Sequence, residues 1–413
     1  MEFSPIKPLG LRMRSDWWLT AVILAAAVVR VAAAVATGNR FHFADEAYYV
    51  DAARLLLRGG GLGVDYRQAP GYPVFLAILS ALLPSTVLAL RLAQGVLAGL
   101  GSALVYVLGD RLAGRGPALT AAALYALDPL LVVSAGLLYP ETAAAIVLAM
   151  AILAAWHGGR DSLRDTGLTG VLLGTLVLLR PVTLVLVPVV AAWIAAQVPR
   201  RRAAAHLGLV LVAALLVLAP WTYRNYRVHG QLAPIAVAGI HMAPVTPEDL
   251  AHDGLTVSLL KKAWANPGGL AARTARQFLQ FWELAPTRLT TDDPESRAAL
   301  HQRDPRLPTG AFVASGVRDL VSKIASTVEF GLALFGLIFL WRTCRSAALL
   351  ISTVTITFGL AYALFVAKLR YRIPILPLVF VLAGVGAWKL GTALVALFVG
   401  RTRTGGGGVE RSP

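Results

Sequence analysis

The chain has 413 residues, is 57% hydrophobic and 15% charged, and carries a formal net charge of +16. Its mean hydropathy is +0.67 and its apolar runs repeatedly reach the ~20 residues that cross a hydrocarbon core, which excludes a soluble globular domain and indicates a multispan membrane protein. The positive charge does not point to nucleic acid, because the arginines fall in short clusters between apolar runs, where they set topology. The single cysteine, Cys344, excludes a disulfide within the chain.

Residues 1 to 16 read as a cytoplasmic N-terminus. Lys7, Arg12 and Arg14 ahead of an apolar run, with Ala34, Val35 and Ala36 at its end, imitate a signal peptide. The run from Trp17 to Thr37 is too long for a signal core, so it is taken as an uncleaved first span. Further spans are expected at 86 to 108, 117 to 134, 141 to 156, 166 to 179, 181 to 197, 203 to 221, 320 to 341, 346 to 367 and 373 to 399. The run from Gly71 to Leu83, bounded by Pro70 and Pro84, is too short for a crossing and is expected to be interfacial or re-entrant. With that choice Arg111/Arg115, Arg160/Arg164, Arg200 to Arg202, Arg342/Arg345 and Arg401/Arg403 all face the cytoplasm, as the positive-inside rule requires.

The fold class that follows is an all-α polytopic bundle of about ten transmembrane helices with helices in its outer loops. Its parts are a transmembrane module over 17 to 221 with a first outer loop at 38 to 70, a long outer loop at 222 to 318, C-terminal spans at 319 to 399 and a flexible cytoplasmic tail at 400 to 413, which contains Gly405 to Gly408. In the long loop, Pro267 to Glu283 reads as helical, and Thr290 to Pro308, rich in polar residues, reads as mobile. The expected location is the plasma (inner) membrane with the functional face outside the cytoplasm.

Ionisable residues collect at the outer ends of these spans. The acids are Asp45 and Glu46 after the first span and Glu141 before the fourth; the cations are Arg180, Arg224, Arg227, Lys368, Arg370 and Arg372. The segment Lys368-Leu369-Arg370-Tyr371-Arg372 breaks the positive-inside pattern, and a phosphate at the membrane surface would account for it through charge-assisted hydrogen bonds. If the segment is extended, Arg370 and Arg372 face one side and grip one phosphate while Tyr371 faces away. Each feature has a bland counterpart: the acidic pair caps a helix over 47 to 57, Arg180 stops a helix before Pro181, and the outer arginines attract lipid headgroups. Arg30 and Arg91, inside or at the edge of spans, are assigned to structure. His42, His241 and His301 have no metal-ligand spacing.

Taken in order, Ala44-Asp45-Glu46-Ala47-Tyr48-Tyr49, Arg67-Gln68-Ala69-Pro70-Gly71-Tyr72-Pro73, Leu138-Tyr139-Pro140-Glu141, Leu178-Leu179-Arg180-Pro181, Pro220-Trp221-Thr222-Tyr223-Arg224-Asn225-Tyr226 and Arg370-Tyr371-Arg372-Ile373-Pro374 resemble the membrane glycosyltransferases of the GT-C fold, in the protein O-mannosyltransferase and aminoarabinose-transferase branch. The resemblance implies transfer of a sugar, with inversion, from a polyprenyl-phosphate donor in the membrane lipid to an acceptor hydroxyl of a protein, lipid or glycan. It implies Asp45 as general base. The chemistry of the residues adds Glu46 and Glu141 to orient Asp45, the acceptor or a bound cation, and sets Lys368, Arg370, Tyr371, Arg372, Arg224 and Arg180 around the donor phosphate. The chain is shorter than many members. No cofactor is expected; the outer loops have no Asp-x-Asp, so a divalent cation is an option without a supporting motif. The alternatives are a polysaccharide polymerase or ligase using lipid-linked donors, and a lipid or sugar transporter.

Overall fold

The computed structural model describes residues 17–63, 68–230, 258, 260–284, 294–309, 315–364 and 368–404. The expected N-terminus at 1 to 16, Arg67 of the second motif and the glycine tail lie outside them. Every regular element among the described residues is helical: α1 (Trp17–Thr37), α2 (Ala44–Leu57), α3 (Gly71–Leu82), α4 (Val87–Ala113), α5 (Arg115–Leu127), α6 (Pro129–Ala135), α7 (Pro140–Gly158), α8 (Leu163–Leu179), α9 (Leu186–Gln197), α10 (Arg200–His229), α11 (Pro267–Phe281), α12 (Pro294–Arg303), α13 (Ser315–Thr343), α14 (Arg345–Ala363) and α15 (Leu376–Thr404). Short 3-10 turns, Pro181–Val185 and Leu369–Ile375, lead into α9 and α15.

Among the described residues seven helices are long and apolar enough to cross a membrane alone, or eight if the bent pair α5–α6 counts as one span. The protein is a multi-pass membrane protein. The two other expected spans are present as helices but shorter: α8 has 17 residues, and Pro181–Gln197 is a short apolar segment interrupted by its 3-10 turn. The helices approach through small residues. Gly336 of α13 lies against the Leu382 carbonyl of α15, and Gly386 of α15 against the Leu332 carbonyl of α13, so a side chain at either glycine would meet backbone. In lipid, where tails are as apolar as leucine, such close packing is what holds helices together.

The 56° bend between α5 and α6 follows from Asp128-Pro129. Pro129 has no N–H to continue the helix, and Asp128 Oδ1 accepts from Leu131 N at 2.8 Å to start the next one. The carbonyls freed by the break are met by Arg30 of α1, which donates to Tyr125 O at 2.7 Å and Ala126 O at 2.8 Å. Unmet, each would cost several kcal/mol in an apolar interior. The assignment of Arg30 to structure is thus matched by its contacts.

α3 is a short apolar helix. Gly71 at its start packs on the backbone of Leu178 at the end of α8, while Ser85, just beyond its end, accepts from Arg54 of α2 at 3.4 Å. Both of its ends therefore lie at one end of the bundle, together with α2.

The polar stretch of the long loop is more ordered than its composition suggests. Residues 285–293 lie outside the described part, but α12 is a regular helix, and beyond it Leu307 is buried and Arg306 forks onto both carboxylate oxygens of Asp51 in α2, at 3.2 and 2.8 Å. Further back, Phe281 of α11 is enclosed by Phe358 and Tyr362 of α14, which seats the loop helix on the bundle.

Candidate active site

Asp45 and Glu46 occupy the first turn of α2, where carboxylates oppose the positive end of the helix dipole. A helix turns about 100° per residue, so neighbours point apart, and the two acids end in different surroundings. Glu46 is 0% exposed. One of its oxygens accepts from the backbone N–H of His42 at 2.7 Å and of Phe43 at 3.2 Å; the other accepts from Arg91 at 2.7 Å and from Leu138 N at 2.9 Å. Arg91 also donates to Gly38 O at 2.8 Å. Glu46 is therefore a buried tie between the α1–α2 loop, α4 and the segment before α7, enclosed on all sides. Its placement among the acid/base candidates is corrected on that ground.

Asp45 is open: its side chain is 50% exposed, and Arg370 donates to it at 2.9 Å. Behind that pair, Arg370 Nε lies 3.4 Å from Glu141 Oε1, and Arg180 donates to the same oxygen. Glu141 comes from the first turn of α7, where Pro140 needs no partner for a missing N–H. Both cations come from junctions: Arg180 immediately precedes the first 3-10 turn and Arg370 is the second residue of the other. Four residues from four segments, Asp45, Glu141, Arg180 and Arg370, thus meet at the end of the bundle that carries α2 and α3.

Aromatic rings fix the guanidiniums. The Arg370 guanidinium lies 4.1 Å from the centroid of Tyr139 and 5.4 Å from that of Tyr371, and Arg180 lies 5.1 Å from Tyr371. Tyr371 is itself stacked on Tyr362 at 4.8 Å. Such cation–π contacts contribute about 0.5–2 kcal/mol each, more when desolvated. Five buried polar atoms of this group, Glu141 Oε2, Arg180 Nε, Arg370 Nε and Nη1, and Tyr362 OH, have no hydrogen-bond partner among the described residues. Buried polar atoms are normally paired, so their convergence marks the place as built for something. The pKa of Tyr49, packed beside the site, is pushed up to about 12 by burial, so the phenol stays protonated at neutral pH.

The other expected cations are elsewhere. Arg372 does not share a face with Arg370, because Leu369–Ile375 is a 3-10 turn and not an extended strand; at three residues per turn, residues two apart diverge widely. Arg372 is 2% exposed and donates to Glu283 O at 2.9 Å and Ser326 Oγ at 2.6 Å, with its guanidinium 5.0 Å from the Phe330 ring. The expected paired grip on one phosphate is corrected accordingly, as is the idea that Tyr371 turns away: its ring lies against both site arginines. Arg224 reaches Gly63 O, Asn225 Oδ1 and the ring of Trp221. Lys368 caps the start of the 3-10 turn and makes no ion pair among the described residues. No group of three or more His, Cys, Asp or Glu converges as for a metal among the described residues.

Sequence reading missed the partners that are distant along the chain. Tyr139 lay inside a quoted motif without a role. Gln94 ties the same region, donating to Leu137 O at 2.6 Å and accepting from Tyr72 OH at 2.7 Å, and a lone glutamine in an apolar span was the available signal.

Residues 67–223 match the family described as dolichyl-phosphate-mannose-protein mannosyltransferase. Among solved structures the chain is similar to ArnT from Cupriavidus metallidurans bound to undecaprenyl phosphate, with 17% identity and a TM-score of 0.57 over 93% of this chain and 64% of that one. It is similar also to the Archaeoglobus fulgidus oligosaccharyltransferase in the apo form, with 13% identity and a TM-score of 0.58 over 97% of this chain and 53% of that one. A third likeness is to the archaeal oligosaccharyltransferase AglB of Archaeoglobus fulgidus in complex with an inhibitory peptide and a dolichol-phosphate, with 14% identity, a TM-score of 0.51, and 97% and 53% of the two chains covered. The chain spans less than two thirds of the length of these structures. No curated protein sequence matches. The chain shares the fold of the ArnT and oligosaccharyltransferase structures.

Proposed function

We propose that the protein is an inverting glycosyltransferase that moves a sugar from a polyprenyl-phosphate donor to an acceptor hydroxyl, at the extracytoplasmic face of the plasma (inner) membrane. The observation that carries the reading is the half-open carboxylate of Asp45 facing Arg370 at 2.9 Å, with Glu141 and Arg180 directly behind. A base beside paired guanidiniums is the equipment this transfer needs. The match to a mannosyltransferase family and the polyprenyl phosphates bound by two structures of the same fold support it.

In this reading the acceptor oxygen attacks the anomeric carbon as the carbon–oxygen bond to phosphate breaks, and Asp45 takes the acceptor proton, a contribution of about 10² to 10⁴-fold. The phosphate departs with its electron pair and needs no proton, unlike the alkoxide leaving group of a glycosidase. Arg370 and Arg180 offset the negative charge that grows on it. Glu141 orients both guanidiniums. The prenyl tail lies between apolar helices, where each methylene removed from water is worth roughly 0.8 kcal/mol. A transporter reading calls for repeated halves about a midplane site, whereas here the exposed acid and its cations gather at one end.

Two measurements test this. A strain lacking the protein should accumulate a polyprenyl-phosphate sugar that the purified chain then discharges onto an acceptor; no accumulation and no discharge remove the reading. For the face, single cysteines in a Cys344→Ser background should react with an impermeant thiol reagent in intact cells at positions 65 and 300 and not at 201. Labelling at 201 alone places the site in the cytoplasm.

A further inference from the structure

Arg370 has two claims on it. Nη2 of its guanidinium donates to Asp45 Oδ2 at 2.9 Å, while Nη1 is buried and has no hydrogen-bond partner among the described residues. Its plane is held by Tyr139 at 4.1 Å and Tyr371 at 5.4 Å, so it can exchange one oxygen for another without leaving its seat. Glu141 is already served by Arg180 and loses little if Arg370 changes partners. Asp45, by contrast, has Arg370 as its ion-pair partner among the described residues and is half exposed to water. Arg370 Nε and Nη1 are closed to solvent, so a phosphate meets this guanidinium through Nη2, the nitrogen that now holds Asp45, and its charge-assisted bond there displaces the carboxylate.

We infer that Arg370 is a shared cation whose pairing with Asp45 and whose pairing with the donor phosphate exclude each other, so that the donor unmasks the base. This rests on the proposed glycosyl transfer and deepens it. While Arg370 holds Asp45, the carboxylate lone pairs are engaged and the base is weak. When a lipid phosphate takes Nη2, Asp45 is released beside the substrate, free to accept the acceptor's proton and pass it to water. Binding is then ordered, donor before acceptor, and a water molecule meets an engaged carboxylate until the donor is in place. Tyr139 is a positioning residue in this scheme, since it holds the guanidinium in the plane common to both partners.

The test is a double-mutant cycle on binding, using undecaprenyl phosphate as the probe and the full chain in detergent. Asp45→Asn frees Nη2 and should tighten probe binding by about three- to tenfold; in an Arg370→Gln background the same change should have no effect. Equal tightening in both backgrounds means simple relief of charge repulsion and overturns the inference, as does no tightening in either. If Arg370→Gln does not fold, carbodiimide labelling of Asp45 in the wild-type chain substitutes: it should rise on adding the probe, and unchanged or reduced labelling overturns the inference. Failure of the wild-type chain to bind the probe at all removes the donor reading itself, a separate result.

Discussion

Asp45–Arg370 and Glu46–Arg91 are two ion pairs built from one acidic dipeptide, yet they are opposite in kind. The first joins a half-exposed carboxylate to a guanidinium with buried, unpartnered nitrogens. The second is wholly enclosed, and its carboxylate oxygens accept four hydrogen bonds. A pair whose hydrogen bonds are complete has nothing left to offer a substrate; one whose carboxylate is half exposed does. On the proposed function, the difference is that in this bundle sealed charge is scaffold and unsealed charge is available for chemistry. The same division separates Arg372, closed onto Glu283 and Ser326, from Arg370 two residues earlier.

The comparison is most directly broken by Asp45→Asn. Turnover should fall by about 10² to 10⁴-fold while the melting temperature stays put, because the amide keeps the shape but accepts no proton. Activity within a few-fold of wild type removes Asp45 as the base and erases the distinction.

Glu46→Gln should act on the other side of the line, lowering stability by about 3–5 kcal/mol, since it leaves the Arg91 guanidinium buried without a counter-charge. Protein that does fold should turn over nearly normally. A thermal or denaturant melt beside an activity assay separates the two, and a stable but inactive Glu46→Gln would assign Glu46 to the chemistry after all.

A smaller effect sharpens the split between the arginines. Arg370→Ala should weaken both donor binding and turnover, with Arg370→Lys restoring only part, because one ammonium cannot present a planar fork. Arg372→Ala should chiefly loosen the end of α11 and lower the melting temperature, leaving donor affinity per folded molecule close to wild type. Equal losses of donor affinity would return Arg372 to the phosphate.

The least effect is expected at the Arg306–Asp51 bridge. Both side chains are nearly half exposed, 47% and 46%, and such surface pairs contribute about 0–1 kcal/mol. Asp51→Asn should leave the melting temperature almost unchanged but speed proteolysis within residues 294–309, read by gel and mass spectrometry; unchanged proteolysis would mean that the loop is held by Leu307 and its apolar neighbours alone.

Much of this was legible in the linear chain. Apolar run length marks most of the spans, because hydrocarbon admits few charges and charged clusters cannot be hidden there. The shortness of the run at 71 to 83, together with the charge parity of the loops after it, kept it from being counted as a crossing. The motifs brought forward Asp45, Glu141, Arg180 and Arg370, all of which meet in the fold. Arg30 and Arg91 were separable as structural on position alone.

What only the tertiary structure decided is which charges are sealed. Asp45 and Glu46 are adjacent, and nothing local says which one meets Arg91, 45 residues away from Glu46 along the chain. The 3-10 geometry of Leu369–Ile375 likewise follows from how that segment is wedged at the bundle's end, where it is buried throughout, and it reversed the expected facing of Arg372 and Tyr371. Local sequence dictates periodicity and solvent preference, which are properties of a few neighbouring residues; the partner of a buried charge depends on helices brought together from across the whole chain. Hydrogen-bond completeness, which here divides scaffold from site, exists only once those helices have packed.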